Sequence, residues 1–460
     1  MVAGRYDEAV RLYAELVHDL PRNPGTILNL GIAQHYAGHY REAIDSFTSA
    51  LKLEPGLTQA KFLMGVAYQK LGEPARAIGP LQEVVNADVA NRLARLELAD
   101  ALLATGQFAN SAPHFRKLTE LHAGDARYWQ GLGFSYLGSA RRAFETLEKL
   151  APDSAYVYAL LAHSRKEQQQ KRSAFALYRK ALEANPNLPG IHAGLAEIYR
   201  QSGHNDWAAV EDERERVLPS ADCASIPSQC AFLARRYEQA LEADDSPPNL
   251  YWKNRSYDEL ARAALSRLGQ LPPSPQVHEL MAEAYRVQGR HADAAQELRE
   301  ALKLDPGSSR IQSLLAAELW RGHDYQAAQP ILEKLLASSP GSAELNYELG
   351  DLLLERQEPE KALPFLEKSV RLKAGLLLAH ASLARALSQC GRPEAAIPHF
   401  EAALPLDEDG QIHFQLSRAA QRAGKLELAR ESLQQYRAMS QTSSARKKLM
   451  EAEQEIGPPK

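Results

Sequence analysis

The chain has 460 residues, 45% of them hydrophobic, and 54 Lys+Arg against 58 Asp+Glu give a formal net charge of -4. This balance lacks the basic surplus of a nucleic-acid binder, and no apolar run reaches the ~18 residues of a membrane span; the best candidate, 374–387, contains His380 and Arg385. Three cysteines cannot build a disulfide framework, and the opening MVAGRYDEAV shows no basic segment followed by an apolar core.

The first predicted helix lies within GRYDEAVRLYAELVHDLP (4–21), where Ala9, Tyr13 and Leu16 share one helical stripe. It reads as the second helix of a pair without its first. Repeat arrays need polar caps, so either the gene product starts upstream or this helix docks only on the next repeat. Ala43 and Ala77 follow Ala9 at intervals of 34, and Ser111 stands one interval further. Four positions after each come Phe47, Leu81 and Phe115, and seven after come Ala50, Val84 and Leu118. Pro21 and Pro55 close the first two copies. Another stripe lies upstream in the second copy (Leu30, Gly31 and Tyr36) and the third (Leu63, Gly65 and Tyr68), and the fifth copy carries Trp129, Leu132, Gly133 and Tyr136. Between the two stripes sits a glycine (38, 72, 106, 203, 289, 391 or 424), the residue favoured past a helix end. Each copy therefore reads as helix–turn–helix.

The frame then breaks. The fifth copy, from Ala126, leaves almost no room between its helices, while a sixth starts at Ala155 and a seventh at Pro189. From Cys223 to Ser274 the pattern dissolves: CAFLARRYEQALEA looks like an eroded pair or a lone helix, and a second shortened copy follows, its Tyr251-Trp252 echoing Tyr128-Trp129. The regular frame returns with Ala294, Ala328, Ala362 and Ala396, partnered by Leu298, Leu332, Leu366 and Phe400. The end predicts a capping helix with a stripe of Ala445, Leu449, Ala452 and Ile456, and GPPK as a tail. In sequence order this gives an N-terminal array (1–222), an irregular junction (223–274), a C-terminal array (275–440) and a cap with tail (441–460).

The 34-residue period, the small residues at Gly31, Gly65, Gly133 and Gly350, the aromatics at Tyr68, Tyr136, Tyr199 and Tyr285, and the alanine and proline places resemble the tetratricopeptide repeat family over nearly the whole chain. The resemblance implies an all-α fold, a right-handed superhelical solenoid of stacked helix pairs whose first helices line a concave groove. It implies a non-catalytic protein–protein interaction scaffold that takes an extended peptide or a partner helix. The alternative is a regulatory or substrate-docking part of a larger enzyme or of a secretion or assembly complex. RNA reading, the role of the related 35-residue repeat, does not fit the period or the charge.

No catalytic constellation emerges, and no cofactor or metal is expected. GLGFSYLG (131–138) lies inside a helical pattern rather than after a strand, where a phosphate-cradling loop belongs. His35 and His39 are four apart, but His39 falls past Gly38 and outside the helix. Cys223 and Cys230 read either as independent thiols or as a disulfide closing a short loop, which needs an oxidising compartment. The compartment stays open: cytoplasmic, or periplasmic or secreted if a leader lies upstream.

In the family, residues spaced 3, 4 and 3 on the first helices face the groove. Here they include Glu279, Glu283 and Arg286, then Arg310 and Trp320 beside Arg321, then Tyr347 and Asp351, then Arg385, then Phe414 and Arg418. Their charges alternate in sign, which predicts an extended ligand of mixed charge on a protein partner, the chain serving as a monomeric scaffold within a complex. Trp320 and Tyr347 would be the anchors, replaceable with little loss of stability because neither lies on the packing stripe. Some family members clamp the C-terminal carboxylate of chaperones with a Lys and an Asn on the first helix. The matching places hold Leu28 and Ile32, Phe62 and Val66, Glu279 and Glu283, and Tyr347 and Asp351. An acidic chaperone-tail peptide should therefore show no micromolar binding in calorimetry.

Overall fold

A computed structural model gives the backbone of residues 5–450 and 455–459, and the side chains of 5–440 and 455–459. Among the described residues the chain is all-α, with no strand. Helix α1 (Tyr6–Asp19) is followed by the pairs α2 (Pro24–Tyr36) and α3 (Tyr40–Leu53), α4 (Thr58–Lys70) and α5 (Pro74–Ala87), and α6 (Arg92–Ala104) and α7 (Phe108–Leu121), and it packs on α2. The long α8 (Ala126–Leu150) precedes two more pairs, α9 (Ala155–Glu167) with α10 (Lys171–Ala184) and α11 (Ile191–Gln201) with α12 (Asn205–Arg216). Two short helices, α13 (Pro227–Leu233) and α14 (Tyr237–Ala240), lead into the long α15 (Pro247–Gly269). The remaining pairs are α16 (Pro275–Val287) with α17 (His291–Leu304), α18 (Ser309–Arg321) with α19 (Tyr325–Ser338), α20 (Ala343–Glu355) with α21 (Pro359–Leu372), α22 (Leu377–Gln389) with α23 (Pro393–Ala403), and α24 (Gln411–Arg422) with α25 (Leu426–Met450).

Local chemistry sets the ends of these helices. Many first helices start at a side chain that accepts from their own backbone N–H groups: Asn23, Asn91, Asp125, Ser154, Ser274, Ser308 and Ser342. Each such cap contributes about 1 kcal/mol. The turn into the second helix uses one residue in the left-handed region. Gly72 holds it at φ 74°, and the other six breaker glycines do the same. Where that place holds no glycine, Gln169, His323 and Gln357 adopt it at φ 61–62°, at a cost of about 1 kcal/mol each; the neighbouring Gly322 stays at φ -80°.

The pairs are locked by a small residue on the first helix and a large one on the second. A methyl group at Gly65 would sit 2.4 Å from Leu81 Cγ, one at Gly31 2.7 Å from the Phe47 ring, and one at Gly350 2.6 Å from Leu366 Cγ. In each case the large residue lies sixteen positions downstream. Gly131 and Gly194 repeat the arrangement with Phe115 and Tyr178, sixteen positions upstream, so the first helix also seats the second helix of the preceding copy. Phe47, Leu81, Phe115 and Leu366 are all essentially inaccessible to solvent.

The two shortened copies behave differently. Each is one continuous helix with no internal turn, and α8 and α15 pack along each other. A methyl at Gly133 would meet Leu265 Cδ2 at 2.8 Å, and Asn254 Nδ2 donates to the Ala140 carbonyl at 2.8 Å. Cys223 and Cys230, just before and within α13, are disulfide-bonded, with Cα atoms 5.6 Å apart. Ser228 and Phe232 of α13 then meet Asn249 and Trp252 of α15.

This pairing gives a division that does not follow sequence order. One compact unit comprises Met1–Pro152 with Ala221–Pro272, and the other Asp153–Ser220 with Pro273–Lys460. The sequence suggests three consecutive blocks instead; the difference arises because α8 takes α15 as its partner, so the chain leaves the first unit and returns to it. Helix α25 runs unbroken to Met450, through the first part of the expected cap. Of the expected stripe, the Ala445, Leu449 and Ala452 side chains lie outside the described residues, and Ile456 is not helical.

If the small–large lock stabilises each pair, its halves must be coupled. Gly350→Ala should destabilise the chain by about 1–3 kcal/mol through overpacking, and Leu366→Ala by about 2–5 kcal/mol. The double variant should lose less than the sum, since the truncated leucine makes room for the methyl. Urea unfolding of the three variants reads the coupling; strict additivity would show that the contact is incidental.

Candidate peptide-binding surface

The groove residues expected from the sequence lie on α16, α18, α20, α22 and α24, all in the second unit. The structure brings many of them into contact with one another. Trp320 Nε1 donates to Asp351 Oδ2 at 3.1 Å, and Ser382 Oγ donates to Asp351 Oδ1 at 2.6 Å. Arg385 Nη2 donates to Glu355 Oε1 at 2.7 Å, with its other nitrogen 3.9 Å from Asp351. Indole and phenol rings of Trp320 and Tyr347 meet edge to face at 5.9 Å. One polar network thus spans α18, α20 and α22.

Pairing also consumes most of the alternating charge. Glu279 forms an ion pair with Arg310, Glu283 with Arg286, and Arg321 with Glu318. Glu318 in turn meets His291 Nδ1 at 2.9 Å. The exception is the last first-helix. Arg418 lies over the Phe414 ring at 5.9 Å, and neither Arg418 nor Arg422 has a carboxylate partner among the described residues. Both are exposed. They border a cleft of about 260 Å³ together with Arg385, Ser388, Gln389 and Gln415. Ser388 Oγ is enclosed there without a hydrogen-bond partner among the described residues.

Tyr347 departs from expectation. It is only 8% exposed and belongs to the core cluster with Leu315, Leu349 and Leu383. Helix α20 buries residues on most of its circumference, from Ala343 through Leu354, so the face opposite its packing stripe is itself covered. Replacing Tyr347 with Ala therefore removes core, and the expected small loss of stability does not hold. Trp320 is only partly buried. Asp351, expected in the groove, is also buried and fully engaged. Sequence reasoning did not single out Ser382, Ser388 or Glu348. Serines carry no periodic signal, and Glu348 looks like any surface acid on a helix.

The tetratricopeptide repeat family matches residues 28–91, 96–133, 155–188, 236–408 and 381–444. The chain is a tetratricopeptide repeat protein. As such it falls in the class of protein-interaction scaffolds. Aspartyl/asparaginyl beta-hydroxylase of Mus musculus is 26% identical over 231 residues, covering 48% of this chain and 29% of that protein. The Homo sapiens hydroxylase is equally similar, with 28% of it covered. A TPR repeat-containing protein of Treponema pallidum is 24% identical over 313 residues, covering 64% of this chain and 35% of the relative. The chain thus spans under a third of the length of the two hydroxylases. Among solved structures, the APC/C hetero-tetramer Cut9-Hcn1 aligns with 97% of this tetratricopeptide repeat chain and 92% of its own at 15% identity and TM-score 0.35. MamA from Desulfovibrio magneticus RS-1 aligns with 36% of this chain and 96% of its own at 21% identity and TM-score 0.33. No helix among the described residues is long and apolar enough to cross a membrane.

Two acids on α20 carry a measurable signature. Burial pushes the Glu348 carboxyl up to about 7, against the pull of Arg321 and with the push of Glu344. Burial also raises Asp351, against its bond from Ser382 and the charge of Arg385. A raised acid holds its proton longer in the folded chain than in the unfolded one. Between the ordinary carboxylate range and pH 7 the folded state therefore binds more protons, and stability falls as pH rises through that window. Urea midpoints should decline from about pH 5 to pH 7, and Glu348→Gln should flatten part of that slope. An unchanged slope in the variant would place Glu348 in water.

Proposed function

We propose that the chain is a scaffold that holds an extended segment of a partner protein along the first helices of its C-terminal repeats, with acidic side chains of that segment seated between Arg418 and Arg422. The cleft beside α24 supports this reading: among the described residues its two guanidinium groups have no acid partner, and the enclosed Ser388 hydroxyl has no hydrogen-bond partner. Arginine forks suit carboxylates. The ligand expected from the alternating charges was of mixed sign. The pairing of Glu279, Glu283 and Asp351 with their own neighbours shifts the preference to an acidic segment. This does not reinstate a chaperone tail, whose terminal carboxylate needs the Lys and Asn pair that α16 and α20 lack. Trp320, half-buried at the edge of the network, offers the apolar contact on which interface energy tends to concentrate.

A second reading, a substrate-docking part of a larger enzyme, draws on the 231-residue similarity to the hydroxylases. It differs in its partner, which would be a substrate of that enzyme rather than a member of a standing complex.

Cross-linked capture from the source cells identifies the partner, and overlapping peptides from that partner locate the bound segment. The segment should be acidic. Arg418→Glu with Arg422→Glu should weaken it by about tenfold or more, with a shallower salt dependence. Both residues are exposed, so folding should be unaffected. A basic or neutral segment, or unchanged affinity in the double variant, would move the site elsewhere on the scaffold.

A further inference from the structure

The last described residues, Glu455–Pro459, form no helix. Tyr199 Oη donates to the Gly457 carbonyl at 2.8 Å, a contact across 258 positions of sequence. Both residues belong to the second unit. Ile456, Gly457 and Pro459 are partly buried, whereas Glu455 and Pro458 face solvent. The tail thus lies against the protein along one side.

The site it reaches is aromatic. Tyr199, on α11, has no exposed surface. Its ring meets Phe175 of α10 at 5.8 Å and Trp207 of α12 at 5.6 Å, both edge to face. Trp207 stacks on His204 at 4.0 Å. Burial holds the Tyr199 hydroxyl above its ordinary pKa, with the charge of Glu211 adding to the effect, so it remains a proton donor. The Gly457 carbonyl is its only hydrogen-bond partner among the described residues. Without the tail, a buried donor would face water or nothing.

The tail sequence Ile-Gly-Pro-Pro suits such a place. Proline lacks an N–H, so a Pro-Pro segment offers its carbonyls as the main backbone handle. Its backbone is already close to the extended polyproline conformation, and little entropy is lost on docking. Aromatic side chains with a donor group are the recurring partners of such segments.

We propose that the aromatic site around Tyr199 recognises a short extended Gly-Pro-Pro segment, and that the chain's own C-terminal residues 455–459 occupy it and close it to a partner. This site lies on α11, apart from the α16–α24 surface, and stands or falls independently of the proposed function. Tethering raises the local concentration of the tail to the order of millimolar. A partner segment of similar sequence must outcompete it, so the occupied site admits only a segment that binds better or arrives at high concentration.

The test uses a fluorescein-labelled hexapeptide EIGPPK, the sequence of residues 455–460, read by anisotropy. The full chain should bind it at least tenfold more weakly than a chain ending at residue 454. Tyr199→Phe in the shortened chain should lower its affinity several-fold, with an unchanged circular dichroism spectrum. A full-length variant with Pro458→Ala and Pro459→Ala keeps the chain length and should also open the site to the labelled peptide. Equal affinity for the full and shortened chains, or no binding to the shortened chain and the proline variant alike, would overturn the proposal.

Discussion

The fold depends on one contact made many times, a side chain too large for its site unless the opposing residue has almost no side chain. Leu81 against Gly65, Leu366 against Gly350 and Phe47 against Gly31 each fill space that even a methyl group would contest. Burying a leucine or phenylalanine contributes about 1.5–3 kcal/mol, and the glycine lets the helices approach closely enough to exclude water from it. Alanines such as Ala43, Ala77, Ala294 and Ala362 stand four positions before the large residue, with no exposed surface. They extend the same close approach by one turn. No single pair is large, but within each unit a first helix that follows a regular pair is also seated against that pair's second helix, so stability accrues along the repeats.

The same rule explains the irregular middle. In α8 the small residues continue past the place where a turn would fall: Gly131, Gly133, Ser135, Gly138, Ser139 and Ala140 are all buried or serve as notches. Gly131, Ser135 and Gly138 face Phe115, Ser111 and Phe108 of α7, while Gly133 and the Ala140 carbonyl face α15, which supplies Leu265 and Asn254 to them. The chain between α8 and α15, including two ordinary copies, is then free to belong to the second unit. Irregularity in the sequence here marks a change of partner rather than a loss of structure.

Much of this was legible in the sequence, because it is written at fixed intervals. All seven breaker glycines adopt positive φ, and the alanine and large-residue stripes fall on buried faces. Gln169, His323 and Gln357 were not legible as turn residues, because a strain of about 1 kcal/mol leaves no mark when packing on both sides imposes the turn. The pairing of α8 with α15 was hidden for a different reason: the echo of Tyr128-Trp129 in Tyr251-Trp252 shows likeness, not contact. On the candidate surface the positions were legible and their state was not. The 3–4–3 spacing gives the helix face, but Tyr347 and Asp351 are buried because α20 is covered on nearly every side, and that depends on neighbours far along the chain.

Charge along this surface is therefore better read as architecture first. An acid such as Asp351, held between Trp320, Ser382 and Arg385, fixes the relative rotation of three successive first helices. Breaking one partner would leave a buried carboxylate with too few donors, which costs more than the bond itself contributes. Such a network makes the middle of the surface stiff and electrically quiet. On the reading proposed above, binding draws on what the network leaves over: the half-buried Trp320 at its edge and the guanidinium pair beyond it. On the same reading, tasks are separated along one array, with neutralised charge holding the repeats in register and the guanidinium groups of α24, which have no carboxylate partner among the described residues, left for a ligand.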